Sequence, residues 1–392
     1  MIIRARPKYL TPAMFDVVDN ESIASTDEVF YNSGRSALKH FLIEWKNFNK
    51  IQQPAVAMQA FNCRVVADSA LQAGYRILLM DTKMSDLSIG LNQLTVLPHK
   101  PDVLLLTHCQ GIPCTEYREV AEYCITNSIL LIDDLAQTEG SKINDVETGS
   151  LSNAWIKSYA FDKPFNAWEG GSLRINSIPA EGFQDYFRDS YMNLETESEL
   201  KAGHDLKMLK TFLALTEKDI YFRGMQFGEV VKDLLAMGES GRTAAKLYSR
   251  LIKIGRKVLN KISGEKNQIS IRKMHSGKVK LVAAQRRNFT PDEKEVNALE
   301  EFISAEGGDI LSIPGASINW NRYTVIDKTG ELRGKFNNNE IEVSNYNWPL
   351  PLNRIFRKNS NVIVSENLEV SEYLSANILN IPVWSNYFQS RR

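Results

Sequence analysis

The first third of the chain alternates between short apolar runs and amphipathic stretches, and this alternation constrains the fold more than any other sequence feature. Apolar residues at helical spacing predict helices over residues 36–47, 64–73 and 116–127. Short apolar runs predict buried strands over residues 54–58, 76–80, 103–107 and 128–132. Strands and helices that alternate in this rhythm indicate an α/β domain with a mainly parallel sheet flanked by helices.

Polar residues follow two of the predicted strands. Thr107 and His108 come at the end of one strand, and Asp133 and Asp134 come at the end of another. Because ligands of parallel α/β sheets bind at the carboxyl ends of the strands, we expect a site at this edge. For His108 alone, a hydrogen-bonded position in the core is the commoner role.

The second half of the chain has a different pattern. Residues 195–264 are polar and mostly helical in spacing, whereas strand-like pieces occur at 270–272, 279–284 and 322–326. We therefore predict a large α/β domain over residues 1–245 and a smaller C-terminal α+β domain over residues 246–392.

Charge and hydropathy exclude several classes of partner. Lys plus Arg and Asp plus Glu both number 47, so the formal net charge is zero. Such a balance gives no long-range attraction to nucleic acid or to an anionic membrane, and we expect neither as a partner. No apolar run reaches the length of about 18 residues that a membrane-spanning helix needs. The opening MIIRARPKYL lacks the apolar core of a secretory signal.

The four cysteines fit neither a disulfide framework nor a zinc site. They are Cys63, Cys109, Cys114 and Cys124. Their spacing completes no common zinc pattern, and four thiols are few for so long a chain. We predict free and mostly buried thiols, no metal, and a location in the reducing cytoplasm.

Three segments carry residues suited to one site. Residues 33–38, SGRSAL, place small residues at a helix start, where free N–H groups and the helix dipole favour an anion. Ordinary N-capping by Ser33 explains the same letters. Residues 130–137, LLIDDLAQ, bring two carboxylates to a strand end. A carboxylate there could keep a pyridinium nitrogen protonated, or it could simply cap a helix.

The third segment surrounds a lysine. Residues 158–163 read SYAFDK, and Glu169-Gly170-Gly171 begins six residues after Lys163. A lone loop lysine is usually solvated. Burial and neighbouring charge, however, can lower a lysine pKa so that the side chain acts as a nucleophile or a base.

In order and internal spacing, these segments resemble the DegT/DnrJ/StrS-type sugar aminotransferases, which are fold type I enzymes that depend on pyridoxal phosphate (PLP). The resemblance reaches the C-terminal region, where residues 348–352 read WPLPL and residues 378–382 read ILNIP. It implies a seven-stranded type of sheet, PLP as cofactor and an amino-acid donor, with glutamate as the expected donor. It also implies a keto-sugar acceptor, which could be nucleotide-linked, a role in surface polysaccharide (lipopolysaccharide or O-antigen) synthesis, and a homodimer.

The resemblance assigns roles residue by residue. Lys163 would bind PLP covalently and move a proton on the substrate. Asp134 would pair with the pyridine nitrogen, and Gln137 would lie close to the ring. Gly34, Arg35 and Ser158 would hold the phosphate. Asp133, which replaces the usual glutamate of the family, would support these residues.

Several positions depart from the family pattern. Arg35 stands where a threonine is usual, Cys63 stands where a stacking aromatic is expected, and Tyr221-Phe222-Arg223 lacks the asparagine of the usual Asn-Tyr-Arg. Further candidates to contact the substrate, or to support residues that do, are Phe61, Asn62, His108, Arg223 and Asn353. Two alternatives stay open: a sugar dehydratase of the same family, which has histidine at the lysine position, and a non-catalytic PLP-binding sensor or scaffold.

Overall fold

The computed structural model describes residues 10–15, 27–217, 268–289, 293–308, 310–338, 348, 350–365, 367–381 and 383. The predicted domain boundary at 245/246 lies outside these residues, so the division into two domains stays a prediction. The strands, in chain order, are β1 (Glu28–Tyr31), β2 (Ala55–Gln59), β3 (Arg76–Met80), β4 (Val103–Thr107), β5 (Leu130–Asp134), β6 (Lys142–Ile143), β7 (Val146–Glu147), β8 (Ala154–Ser158), β9 (Gly171–Ile175), β10 (Ala316–Ser317), β11 (Tyr323–Ile326), β12 (Val362–Val364) and β13 (Ile378–Ile381).

The α-helices of the same residues are α1 (Gly34–Phe48), α2 (Arg64–Gln72), α3 (Leu91–Thr95), α4 (Tyr117–Thr126), α5 (Phe183–Met192), α6 (Glu199–Glu217), α7 (Ser276–Arg287), α8 (Glu293–Ala305), α9 (Glu331–Asn338), α10 (Leu352–Ile355) and α11 (Glu369–Asn377). No helix in the described parts of the chain combines the length and apolar character that crossing a membrane requires.

An eight-stranded sheet forms the centre of the fold, in the order β1-β9-β8-β5-β4-β2-β3-β12. In this spatial order, all neighbouring strands from β8 through β5, β4, β2 and β3 to β12 are parallel. Strand β9 alone is antiparallel to both of its neighbours, β1 and β8. The predicted α/β class and mainly parallel sheet are therefore confirmed. The sheet has one strand more than the seven expected, because β12 from the C-terminal region pairs in parallel with β3.

Alternating side chains of the parallel strands fill two separate cores. Val103 and Leu105 of β4 belong to the cluster that includes the apolar faces of α1, α2 and α5. Leu104 and Leu106 of the same strand belong to the cluster built with α4 and the C-terminal elements α8, β11, α11 and β13. Because both faces of the sheet are covered, β4 and β5 carry apolar residues on both faces along most of their length, as the sequence indicated.

The predicted elements of the first half agree with the structure, but two predicted strands in the second half are wrong. Residues 279–284 were expected to form a strand and instead lie inside helix α7. Val279, Val282 and Leu281 are buried on a helical face, and the His275 side chain accepts a hydrogen bond from the Gly277 N–H at the helix start. A short apolar run is ambiguous between strand and helix, and the packing partners of the helix decide here.

Residues 270–272 also form no regular strand; Lys273 next to them makes isolated bridges to Tyr31 and Thr196. All four cysteines are free thiols, and three of them are buried.

Candidate active site

A pocket lies at the carboxyl ends of β4, β5 and β8, beside the start of α1. It gathers all six residues predicted to bind the cofactor: Gly34, Arg35, Asp134, Gln137, Ser158 and Lys163. These residues are up to 129 positions apart in the chain (34 to 163) and come from three separate segments. The structure therefore brings together the residues that the ordered motifs had linked.

The pleat of β5 sends its two aspartates to opposite faces of the sheet. Leu130 and Ile132 belong to the core under α1 and α2, so Asp134 points to the same side and lines the pocket. Asp133, like Leu131, points to the other side. The alternation of side chains along the strand therefore places Asp134 at the pocket and Asp133 on the opposite face of the sheet.

Asp134 is held by its surroundings and is 3% exposed. Its Oδ1 accepts a hydrogen bond from the Ala136 N–H at 3.0 Å, and its Oδ2 accepts one from the Thr107 hydroxyl at 3.4 Å. Burial raises the pKa of this carboxyl, although the Ala136 N–H and the charge of Lys163 act in the opposite direction. The anionic form of Asp134 would thus gain from a cationic partner inside the pocket.

Asp133 and His108 lie behind the pocket and do not line it. The Asp133 carboxylate accepts hydrogen bonds from the Tyr117 hydroxyl and, at 3.0 Å, from the Gly149 N–H. His108 Nδ1 accepts from the Cys114 N–H at 3.2 Å, while its Nε2 lies 3.5 Å from Asp133 Oδ1. Both residues are buried, and they tie β5 to α4 beneath the site.

The start of α1 packs tightly against the strands that end at the pocket. Ser33 caps the helix, its hydroxyl accepting from the Ser36 N–H at 3.2 Å. A Cβ on Gly34 would lie 2.9 Å from the Lys157 carbonyl oxygen, and a Cβ on Gly171 would lie 2.2 Å from the Gly34 nitrogen. The two glycines let the helix start reach the strand ends, so its first N–H groups, which lack acceptors within the helix, face the pocket region.

Lys163 lies in the loop after β8 and is mostly buried. Its Nζ is 3.2 Å from Asp162 Oδ2, and its side chain is 14% exposed. Burial alone would raise the pKa of Asp162, but the charges of Lys163 and Arg322 lower it below its usual value. A partly buried amine beside a carboxylate is therefore present at the pocket wall.

Asp162 and Trp348 also line the pocket, and neither was predicted as a site residue. Thr107 and Cys63, noted in the sequence at the expected edge and at the position of the stacking aromatic, line it as well. Phe61, offered as a substitute for the stacking aromatic, packs edge-on against Trp348 at a centroid distance of 4.9 Å and belongs to the core. The WPLPL motif was a signal that could have pointed to Trp348.

The remaining predicted residues have separate positions. Gln137 Oε1 accepts from the Gln110 N–H at 3.0 Å at the pocket wall. Asn62 donates to the Thr107 hydroxyl at 2.9 Å and so supports the residue that contacts Asp134. Asn353 donates to Glu372 at 3.2 Å and does not line the pocket. Arg223 lies outside the described residues.

One part of the chain matches a family model. Residues 25–208 match the model of the DegT/DnrJ/EryC1/StrS aminotransferase family. These residues contain every segment that contributes a predicted cofactor-binding residue. None of the functionally curated proteins compared with the chain matches it.

Solved structures resemble the whole fold at low sequence identity. A DegT DnrJ EryC1 StrS aminotransferase from Brucella abortus is 14% identical, with a TM-score of 0.64 over 97% of this chain and 88% of that chain. A Streptococcus pneumoniae protein assigned as a sugar aminotransferase, in its PMP form, is 12% identical, with a TM-score of 0.66 over 100% and 96%. The GDP-4-keto-6-deoxy-D-mannose-3-dehydratase of E. coli, with bound hydrated PLP, is 12% identical, with a TM-score of 0.65 over 99% and 98%.

These likenesses establish the fold of PLP-dependent aminotransferase structures, and identities of 12–14% show how far the sequence has diverged. The resemblance predicted from the motifs is confirmed: residues 25–208 match the DegT/DnrJ/EryC1/StrS aminotransferase family model, and a solved structure named for that family shares the fold at 14% identity.

Proposed function

We propose that this protein is a PLP-dependent aminotransferase that moves an amino group from an amino acid, glutamate by family expectation, to a keto-sugar. The observation that carries the proposal is the single pocket that gathers all six predicted cofactor residues around Lys163. Such a pocket combines a lysine, a buried carboxylate and a helix start, which are the groups that PLP chemistry requires.

The buried carboxylate fits the ring of PLP. When bound, PLP supplies an electron-withdrawing ring that stabilises negative charge on the substrate carbon. Asp134 would keep the ring nitrogen protonated, because burial makes its lone negative charge costly and a pyridinium offers compensation. Gln137 would lie beside the same ring.

The helix start at the pocket fits the phosphate. Gly34 and Arg35 provide the first N–H groups of α1, and the helix dipole favours an anion there. The Ser158 hydroxyl at the end of β8 lines the same pocket. Arg35 has a side chain that could add a charge-assisted bond, which the threonine usual in the family could not.

Lys163 would bind the cofactor and then act as the base and acid of the reaction. It would take a proton from the amino-acid donor and return one to the acceptor. Its neighbour Asp162, at 3.2 Å, stabilises the protonated amine between these two transfers. Two successive half-reactions on one site predict ping-pong kinetics.

The acceptor and the assembly are proposed from the family. The S. pneumoniae relative is assigned as a sugar aminotransferase, and the E. coli relative is named for a GDP-linked keto-deoxysugar. We propose a keto-sugar, which a nucleotide could carry, as the acceptor here. A cytoplasmic homodimer that supplies amino sugars for surface polysaccharides such as O-antigen completes the proposal.

A sugar dehydratase is the second candidate, because dehydratases are among the structural relatives. That branch of the family has histidine where this chain has Lys163. The lysine therefore favours transamination.

Absorbance spectra of the purified protein test the proposal. We expect the band of lysine-bound PLP, its conversion to the amine form by glutamate, and loss of the lysine-bound band in Lys163→Ala. Lys157→Ala is the matched control, since that lysine points away from the pocket and pairs with Glu139 at 2.7 Å.

Three outcomes would contradict the proposal. Absence of any PLP band in the wild type would contradict PLP as the cofactor. An unchanged band in Lys163→Ala would contradict the assignment of Lys163 as the PLP-binding lysine. Release of a deoxysugar without transfer of nitrogen to it would favour the dehydratase.

A further inference from the structure

The loop that carries Lys163 has few backbone hydrogen bonds of its own. We define this lysine loop as residues 160–170, between β8 and β9. The Lys163 N–H donates to the Ala160 carbonyl at 3.0 Å, and the Ala167 N–H donates to the Tyr159 carbonyl at 2.9 Å. A loop without regular structure needs other contacts to hold a side chain in one position.

The Asn166 side chain connects the two halves of this loop. Its Nδ2 donates to the Phe161 carbonyl at 2.6 Å, before Lys163, and its Oδ1 accepts from the Trp168 N–H at 3.0 Å, after Lys163. Trp168 has a φ of 69°, a left-handed conformation that costs free energy in a residue with a large side chain. The bond from Asn166 therefore holds a strained residue next to the lysine segment.

Gln285 of α7 fixes Asn166 from outside the loop. Its Oε1 accepts from the Asn166 N–H at 3.0 Å, and its Nε2 donates to the Asn166 carbonyl at 2.8 Å and to the Leu281 carbonyl at 3.1 Å. Asn166 and Gln285 are both fully buried. Each of these buried polar groups would cost free energy if its partner were removed.

We infer that Asn166 and Gln285 are positioning residues that set the location of Lys163 in the pocket. Neither residue lines the pocket, so they act only through the lysine loop. The inference rests on the proposed function for the role of Lys163, whereas the anchoring of the loop depends on the contacts alone. Helix α7 supplies the outer half of this reciprocal amide pair.

The first experiment measures the loop in the protein without added cofactor. Hydrogen exchange followed by mass spectrometry would report the amides of residues 160–170 in the wild type and in Asn166→Ala. Loss of two hydrogen bonds predicts exchange that is at least about tenfold faster in this loop. Asn380→Ala is the control, because Asn380 is similarly buried, bonds to Thr324 at 3.1 Å and lies in another sheet.

The second experiment measures the lysine itself. Borohydride would trap PLP on Lys163, and peptide mass spectrometry would give the trapped fraction. Titration with pyridoxamine phosphate, which needs no bond to lysine, would give the affinity of the pocket. A positioning role predicts that Asn166→Ala slows trapping by about tenfold while the pyridoxamine phosphate affinity stays within about twofold.

A second variant guards against loss of folding at position 166. Gln285→Met removes the outer pair at similar volume and should reproduce Asn166→Ala.

Unchanged loop exchange and unchanged trapping in folded variants would overturn the inference, as would an equal loss of trapping and of pyridoxamine phosphate affinity. If the wild type traps no PLP on Lys163, the proposed function fails, while the exchange experiment still decides whether Asn166 anchors the loop.

Discussion

Replacement of Gly171 by alanine tests the contact that places the helix start at the pocket. The new Cβ would lie 2.2 Å from the Gly34 nitrogen, 2.4 Å from the Gly34 Cα and 2.5 Å from the Ser33 carbonyl carbon. All three are backbone atoms, so no side-chain rotation relieves the clash. The first turn of α1 must move away from β9 by close to an ångström.

The expected cost follows from this geometry. Overpacking a tight site costs about 1–3 kcal/mol, and a clash with backbone atoms belongs at the upper end, about 3 kcal/mol. Displacement of the helix start also moves the N–H groups that would hold the phosphate. We therefore expect PLP affinity to fall by about tenfold or more.

Gly203→Ala is the matched control. Gly203 lies inside α6, and a Cβ there would meet no atom within 4 Å. Alanine in a helix interior should stabilise by about 0.5–1 kcal/mol relative to glycine. Urea unfolding of both variants should thus show a difference of roughly 4 kcal/mol in unfolding free energy, and PLP titration should separate them in the same order.

Equal stability of the two variants would refute the steric reasoning. A destabilised Gly171→Ala that still bound PLP with wild-type affinity would show that the helix start does not hold the cofactor.

Three more predictions follow from buried charges. Asp134→Asn should abolish the conversion of PLP by glutamate with little loss of stability, whereas Asp133→Asn should cost about 1.5–3 kcal/mol of unfolding free energy. Absorbance spectra report the conversion, and urea unfolding reports the stability of each variant. Burial lowers the pKa of His40 to about 4. Because the unfolded chain takes up this proton first, the unfolding free energy should fall by about 3 kcal/mol as the pH drops from about 6.5 to 4. His40→Gln should flatten this dependence of stability on pH. Burial would raise the pKa of Glu28, but its hydrogen bonds to Arg286 lower that pKa overall. The pair therefore stabilises the protein above the usual glutamate pKa and loses this effect as the pH falls below it. The difference in unfolding free energy between wild type and Glu28→Gln should shrink in acid.

Much of the site could be predicted because its chemistry lies in local sequence. Glu169-Gly170-Gly171, the strand end at Asp134 and the helix start at Gly34 each have a local pattern. Their order and spacing matched a known family, so six residues could be placed in one site before any distance was known.

Other features depended on partners far along the chain. The packing of α7 decided that residues 279–284 are helical, and the pairing of β12 with β3 added an eighth strand. No local pattern shows that Gln285 binds the backbone of Asn166, 119 positions away.

The sequence by itself predicted the α/β class and the parallel strands, because strand and helix periodicity is encoded locally. The resemblance of its ordered motifs to a known family predicted six residues of the pocket. The period of two even implies that Asp133 and Asp134 face opposite sides. Only the tertiary structure decided which side holds the pocket, which glycines permit the approach of α1, and what anchors Lys163. Those contacts join distant segments, and packing in three dimensions, rather than local preference, selects them.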